Sequence, residues 1–490
     1  MRALFLGDYY PPLMRLPGVA ALWAGGGYRA MLLAQALVWA PLLGLGTWLA
    51  ARRVTSEWGA TFAVALVFAA AGVVDAMHRF EGNLGATAAA AGCLAAWLWS
   101  DGLRDRRMVA VLGVCLALGL MVDRLGALPV VALPVAWTAW QGRADRQLRR
   151  NVAGLAVGLL VAVGWWYGLS ARGYLAEWGP QLLAGEVGAD GQELEESLHP
   201  LLWLVHYKLV MLDSQVGLIG GLLFIASLGW GVTRWGDERV RAVFLWAAVG
   251  LAVFTLIPKR QPFYTLPLLP AFAVLAAAMV CGNGGRVGMG SLGVPGARWR
   301  AVLAGVLGVA VTVPAVVTAR PGEGMAEGVG AWLLEHRSPL PEEWVGERFP
   351  LASRPDGRTI EVLALNEALR TAGVGEEASI AILCADGIVD ESQLLSAFRI
   401  ARRSADVHGV VLYPGAIIER PDEIQALIDL RPTVDAWPDD AAVIDAHERR
   451  YGWEDRPELL AAMRRIGEGM EPLTEPKAVG GGQLRVWVRE

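Results

Sequence analysis

Apolar runs of roughly 16–23 residues recur along the first two thirds of the chain, each close to the length a helix needs to cross about 30 Å of hydrocarbon. The pattern predicts spans near 30–51, 58–76, 84–100, 108–122, 125–141, 152–170, 214–232, 242–257, 263–281 and 300–319. Only Asp123 and Arg124 separate the fourth from the fifth, and Pro129 and Pro134 interrupt the latter, so this pair predicts a tight hairpin. After residue 320 the pattern shortens. Ile360–Leu365, Ser379–Cys384, Gly409–Tyr413 and Leu484–Val488 read as buried strands, and Glu391–Arg403, Asp422–Asp429 and 454–467 as helices. Strands alternating with helices predict a small α/β domain. The expected fold class is a polytopic α-helical membrane protein of about ten transmembrane helices, residues 1–320, with a small extracytoplasmic α/β domain, residues 321–490.

Charge sharpens that division. Residues 1–320 carry 25 Lys+Arg against 17 Asp+Glu, and residues 321–490 carry 18 against 31, so +8 and −13 sum to the chain's −5. Neither part is basic enough to suggest nucleic acid as a partner. Counting cations in alternate connections gives an orientation. One set holds 15: Arg52, Arg53, Arg104, Arg106, Arg107, Arg143, Arg146, Arg149, Arg150, Arg234, Arg239, Arg241, Arg286, Arg298 and Arg300. The other holds ten, so the first set is expected in the cytoplasm. Residues 1–28, 77–83, 123–124, 171–213, 258–262 and 320–490 are then expected outside. Within the long 171–213 connection, 200–212 reads as an interfacial helix.

One junction on the outer side concentrates chemistry. Pro258-Lys259-Arg260-Gln261-Pro262-Phe263-Tyr264-Thr265-Leu266-Pro267-Leu268-Leu269-Pro270 lies between two apolar runs and sets two cations and a tyrosine at a membrane surface. Such cations face either water, snorkelling from a span end, or an anionic partner. A lipid-linked phosphate is the anion that occurs there. At the other end of the sequence, Gly7-Asp8-Tyr9-Tyr10-Pro11-Pro12-Leu13 opens the chain with no signal peptide before it. An outer segment so placed either crosses with the first span or implies a first helix absent from this sequence.

Tyr10-Pro11-Pro12-Leu13, and the late Lys259, Arg260, Tyr264, Pro267 and Pro270, resemble the two signature segments of the GT-C glycosyltransferases. The resemblance is to the branch with the aminoarabinose transferases, the protein mannosyltransferases and the RgtA/B/C/D-like bacterial enzymes, and it covers roughly residues 8–320. Gly119, Asp123-Arg124, Gly126 and Pro129 loosely match a further charged turn of that family. The resemblance implies transfer of a hexosyl or pentosyl group from a polyprenyl-phosphate donor to an acceptor hydroxyl on a glycan, lipid or protein. It places the chain in the bacterial inner membrane as a multi-pass protein, acting at its outer face.

A hydroxyl nucleophile needs a carboxylate base, and a departing phosphate needs cations. Lys259 and Arg260 are the expected phosphate ligands, with Tyr264 and Tyr10 beside the donor; Tyr264 reads equally as an interfacial aromatic anchor. The family's acid lies upstream of its Pro-Pro-Leu segment, where this chain has only Asp8, which also reads as a turn residue after Gly7. Glu81 is the second candidate acid, in a junction with Asp75, His78 and Arg79 that also reads as a solvated loop. No cofactor is expected. The six His and four Cys fall at no metal-ligand spacing, so no metal site is expected either. Two alternatives stay open: a transporter or flippase of lipid-linked glycans, and an inactive binding homologue. The spans are almost free of internal charge, which favours interfacial chemistry over conduction.

Overall fold

The computed structural model describes residues 16–24, 28–77, 82–122, 128–184, 216–256 and 262–282 of the helical part. Of the C-terminal part it describes 362–375, 378–384, 407–409, 420–431, 457–475, 477–479 and 482–489, with a few single residues between these segments. The chain divides into two compact units, Ala36–Ser353 with Tyr9–Met14, and Arg354–Glu490 with Met1–Asp8 and Arg15–Gln35. The expected boundary at residue 320 lies outside the described residues.

After a short α1 (Leu16–Trp23), the helices are α2 (Tyr28–Val54), α3 (Glu57–Ala69), α4 (Ala71–Met77), α5 (Asn83–Trp99), α6 (Arg106–Val122) and α7 (Leu128–Gln141). They continue with α8 (Arg146–Ala184), α9 (Gly217–Thr233), α10 (Glu238–Leu256), a 3-10 helix over Pro262–Leu268, and α11 (Leu269–Cys281). Helix therefore lies along each expected span from 30–51 through 263–281, with the span expected over 58–76 corrected to two helices broken at Ala70, whereas 300–319 lies almost wholly outside the described residues. Among the described residues, Ala30–Val54 and Arg146–Gly168 are long and apolar enough to cross a membrane unaided. One boundary is corrected. The connection expected from residue 171 begins later, because α8 runs on to Ala184.

Four helices start from side-chain caps. Ser56 Oγ accepts from the Gly59 N–H at 3.2 Å, and Asp105, Asp145 and Asp237 each accept two N–H groups from the first turns of α6, α8 and α10. Each carboxylate satisfies donors that the helix cannot, and sits at the positive end of the dipole. These caps share one end of the bundle. Arg53 Nε donates to the Leu98 carbonyl at 3.3 Å, Arg104 to Asp145 at 2.8 Å, Arg239 to the Arg53 carbonyl at 3.3 Å, and Thr55 Oγ1 to the Gly282 carbonyl at 2.8 Å. Twelve of the fifteen arginines assigned to one side, Arg52 through Arg241, thus occur on connections or helix ends gathered at a single end. Several lie over indoles: Arg52 on Trp48, Arg53 on Trp99, Arg143 on Trp140 and Arg234 on Trp230.

The helical core centres on α11, which is apolar all round and buried from Leu269 to Ala278 between α3, α9 and α10. Phe272 stacks on Phe224 with centroids 5.3 Å apart. Where α2 crosses α5, a Cβ on Gly46 would stand 2.8 Å from the Gly92 nitrogen, so glycine is what lets these two backbones meet.

In the C-terminal unit, α12 (Val362–Thr371) precedes β1 (Ser379–Cys384) and β2 (Val407–Gly409). Then follow β3 (Ile424–Arg431), α13 (Pro457–Gly467), β4 (Met470–Pro472), β5 (Lys477–Val479) and β6 (Gly482–Arg489). The sheet runs β2-β1-β3-β6-β4, with β5 also on β6; β1 is parallel to β2 and β3, and β6 is antiparallel to its neighbours. Leu427 pairs with Trp487, and with Ala381 and Leu383 they pack on Leu459, Met463 and Ile466 of α13. The strands expected over Ser379–Cys384 and Leu484–Val488 and the helix expected over 454–467 are present, while Glu391–Arg403 lies outside the described residues. Of the strand expected at Gly409–Tyr413 only Gly409 is described, at the end of β2. Two expectations are corrected. Asp422–Asp429 is not a helix but a 3-10 turn, Pro421–Glu423, leading into the central strand β3. The described part of Ile360–Leu365 opens α12 rather than a strand, because Leu365 and Leu369 recur at helical spacing with Glu367 and Arg370 outward.

Candidate active site

Because α3 starts and α5 ends at the arginine-bearing end, the helix ends that border the connections 78–81, 123–127 and 257–261 (Met77, Asn83, Val122, Leu128, Leu256 and Pro262) fall at the other one. Glu81, Lys259 and Arg260 belong in sequence to two of these connections, Tyr264 belongs to the 3-10 segment that follows them, and Asp8 and Tyr10 precede the first described helix. The structure describes the framework that carries them.

On one side, α3 stops at Ala70, whose extended backbone (φ −67°, ψ 121°) breaks the helix before α4 restarts it. Met77 and Gly82 then bracket the connection holding Glu81. On the other side, α10 ends at Leu256, and the chain re-enters at Pro262. Pro262–Leu268 winds as a 3-10 helix with Pro267 inside it, and Pro270 sits in the first turn of α11, where no donor is required. This 3-10 helix packs against α4, α5 and α10. Since α4 and α5 flank 78–81, the elements bordering the Glu81 connection and those bordering the Lys259-Arg260 connection are neighbours.

The 3-10 helix is held from below. Thr265, Leu266 and Leu268 are fully buried. Leu268 lies over Gly250 of α10, where an added Cβ would come within 2.2 Å of Leu268 Cδ2. Nearby, Gly85 admits α5 against Val122 of α6 and the Trp39 indole; a Cβ there would lie 2.6 Å from Val122 Cγ1. Lys259 and Arg260 follow the C-terminus of α10 in sequence, and the unpaired carbonyls of a helix end attract cations. Structural neutralisation of that end is thus open to them alongside anion binding.

Asp8, Tyr10, Glu81, Lys259 and Arg260 lie outside the described residues, as do Asp123, Arg124, His78 and Arg79. Tyr264 belongs to the 3-10 helix, one residue before buried Thr265, and Asp75 to α4; their side chains are outside the described set. Among the described residues no three His, Cys, Asp or Glu side chains form a group able to hold a metal ion. Sequence reasoning missed Thr265 and Gly250, which fix the position of the Tyr264 segment. Thr265 carries no motif, and the signal for Gly250 is only a glycine inside an apolar helix.

No protein-family model matches the chain, and no curated protein matches it. Solved structures do. The apo structure of ArnT from Cupriavidus metallidurans is similar over 99% of this chain and 88% of its own, at 17% identity and a TM-score of 0.52. The structure of the same protein bound to undecaprenyl phosphate is similar over 97% and 87%, at 16% identity and a TM-score of 0.52. The chain has the fold of ArnT.

Proposed function

We propose that this chain is a membrane glycosyltransferase that moves a sugar from a polyprenyl-phosphate donor to an acceptor hydroxyl at the outer face of the inner membrane. The observation that carries the reading is the likeness to ArnT along nearly the whole chain, one structure of which holds undecaprenyl phosphate. The signature segment Pro258–Pro270 supports it, its 3-10 part being seated against the elements that flank Glu81. In this reading the helices cross the membrane about ten times, the arginine-bearing end is cytoplasmic, and the C-terminal unit is extracytoplasmic.

The acceptor oxygen attacks the anomeric carbon, Asp8 or Glu81 takes its proton, and the bond from that carbon to the phosphate oxygen breaks with its electron pair leaving on the phosphate. Lys259 and Arg260 neutralise the departing phosphate, Arg260 through its planar fork and Lys259 as a point charge. Tyr264 and Tyr10 hydrogen-bond the donor. The donor sugar is a hexose or pentose, and the acceptor a glycan, lipid or protein. No cofactor enters the reaction.

The reading is tested by incubating the full chain in nanodiscs with a panel of polyprenyl-phosphate sugars and cell-envelope acceptors, and measuring polyprenyl phosphate released. Release should depend on acceptor and fall by roughly 10²–10⁴-fold on removal of the base in Asp8→Asn or Glu81→Gln. Release unaffected by either substitution sinks these assignments, and transport of intact donor across the bilayer without cleavage favours a flippase.

A further inference from the structure

The arginine-bearing end contains a corner that the transfer reaction does not use. It is made of the loop Ser100–Asp105, the loop Gly142–Asp145 and the first turns of α6 and α8. Seven arginines sit there (104, 106, 107, 143, 146, 149 and 150) against three carboxylates, Asp101, Asp105 and Asp145. All seven arginines are exposed. Two of the carboxylates are committed: Asp105 and Asp145 cap α6 and α8, and Asp145 also receives Arg104. A net excess of four positive charges remains, with Arg106, Arg107, Arg149 and Arg150 directed by exposed positions on adjoining helix starts.

The corner is held in shape. Buried Asn151 of α8 donates from Nδ2 to the carbonyls of Leu103 and Arg104, each at 2.8 Å, and Leu103 itself is fully buried. Asp101, Gly102 and Leu103 all take left-handed backbone (φ 49°, 63° and 68°), closed by Ser100 Oγ accepting from the Leu103 N–H at 3.0 Å. The arginines of the two helices therefore project from a fixed frame rather than from a floppy loop. Beyond them the same helices turn apolar and stay exposed: Val114 of α6 and Val157, Leu160, Val161 and Trp165 of α8. On α7, which packs against α6 and α8, Trp137 and Trp140 stand exposed, with Arg143 stacked on Trp140 at 4.6 Å.

We propose that this corner binds an anionic phospholipid carrying more than one phosphate charge. The phosphates engage the arginine cluster, the acyl chains lie along the exposed strip of α6 and α8, and the indoles stand at headgroup depth. Charge complementarity selects the headgroup, since guanidinium forks pair with phosphate oxygens and anionic leaflets attract clustered arginines. The length of apolar helix continuous with the cluster selects a lipid over a soluble phosphate. The inference rests on the membrane embedding stated above and not on the transfer chemistry.

The test uses the purified full chain in uncharged detergent, titrated with cardiolipin or with phosphatidylcholine and read by native mass spectrometry. Cardiolipin should bind roughly tenfold or more tightly than phosphatidylcholine. The combined variant R146Q/R149Q/R150Q should lose that preference, whereas R234Q/R241Q, at the same end but outside the corner, should keep it. A second variant, R107Q/R149Q, alters only exposed side chains and should weaken cardiolipin binding by an intermediate factor. Equal binding of both lipids, or equal losses in the corner and control variants, overturns the proposal. Carbonate extraction of membranes checks embedding separately, and a chain that fails to transfer sugar yet binds cardiolipin as described leaves this site standing.

Discussion

At the scale of single residues, the candidate site depends on contacts beneath it. Gly250 is the sharpest. Any Cβ there meets Leu268, which is fully buried and cannot swing into open space. Gly250→Val should displace the 3-10 helix and destabilise the protein by about 1–3 kcal/mol, the usual range for overpacking a filled core. Thermal unfolding in detergent measures that loss, and wild-type stability with normal donor binding contradicts it. Asp145 provides a test in pH. Its hydrogen bond from Arg104, then those from the Leu148 and Gln147 N–H groups, hold its half-buried carboxyl below the usual carboxylate range. A group whose folded pKa is depressed contributes stability above its unfolded value, about 3.9, and loses it as pH falls through the folded value. Asp145→Ala should therefore lower the melting temperature at neutral pH, and the gap to wild type should close in acid. A gap independent of pH contradicts the assignment.

Among the secondary-structure elements, the helices of the first part were legible because hydrocarbon thickness demands long contiguous apolar runs; the break at Ala70 within the run 58–76 was not. Their caps went unread, although Asp105, Asp145 and Asp237 each set an acid just before a helix start, as an N-cap requires. Nor was β3 legible. Both its faces are buried, so no alternation marks it as a strand; Ile424, Leu427 and Ile428 fall at helical spacing, and Asp422 and Glu423 mimic an acidic first turn. The motif residues of the proposed site lie outside the described residues apart from the backbone of Tyr264, and the packing beneath that segment was not legible. The Leu268–Gly250 contact joins separate elements, and nothing local in the sequence reports it. Asn151 gives the test at this scale. Replacing it with Leu leaves the Leu103 and Arg104 carbonyls without their donor, which should destabilise the protein by about 1–3 kcal/mol. Unchanged thermal stability in Asn151→Leu would show that the loop Ser100–Asp105 does not need the clamp.

For the whole molecule, the arginines gathered at one end and the 3-10 helix Pro262–Leu268 at the other give the helical unit a direction. Cysteines introduced one at a time at Ala144 and at Gly188 should label from opposite sides of sealed spheroplasts, with Gly188 accessible from outside; labelling from the same side contradicts the alternation. The proposed reaction requires the phosphate of a polyprenyl lipid to meet Lys259 and Arg260. The most direct measurement is the affinity of undecaprenyl phosphate for the full chain in nanodiscs, compared with Lys259→Ala and Arg260→Ala. A hydrogen bond to a charged group contributes about 1.5–3 kcal/mol, so each substitution should weaken binding by roughly 10- to 150-fold. Undecaprenyl phosphate bound equally by wild type and both variants would contradict a donor site at Pro258–Pro270.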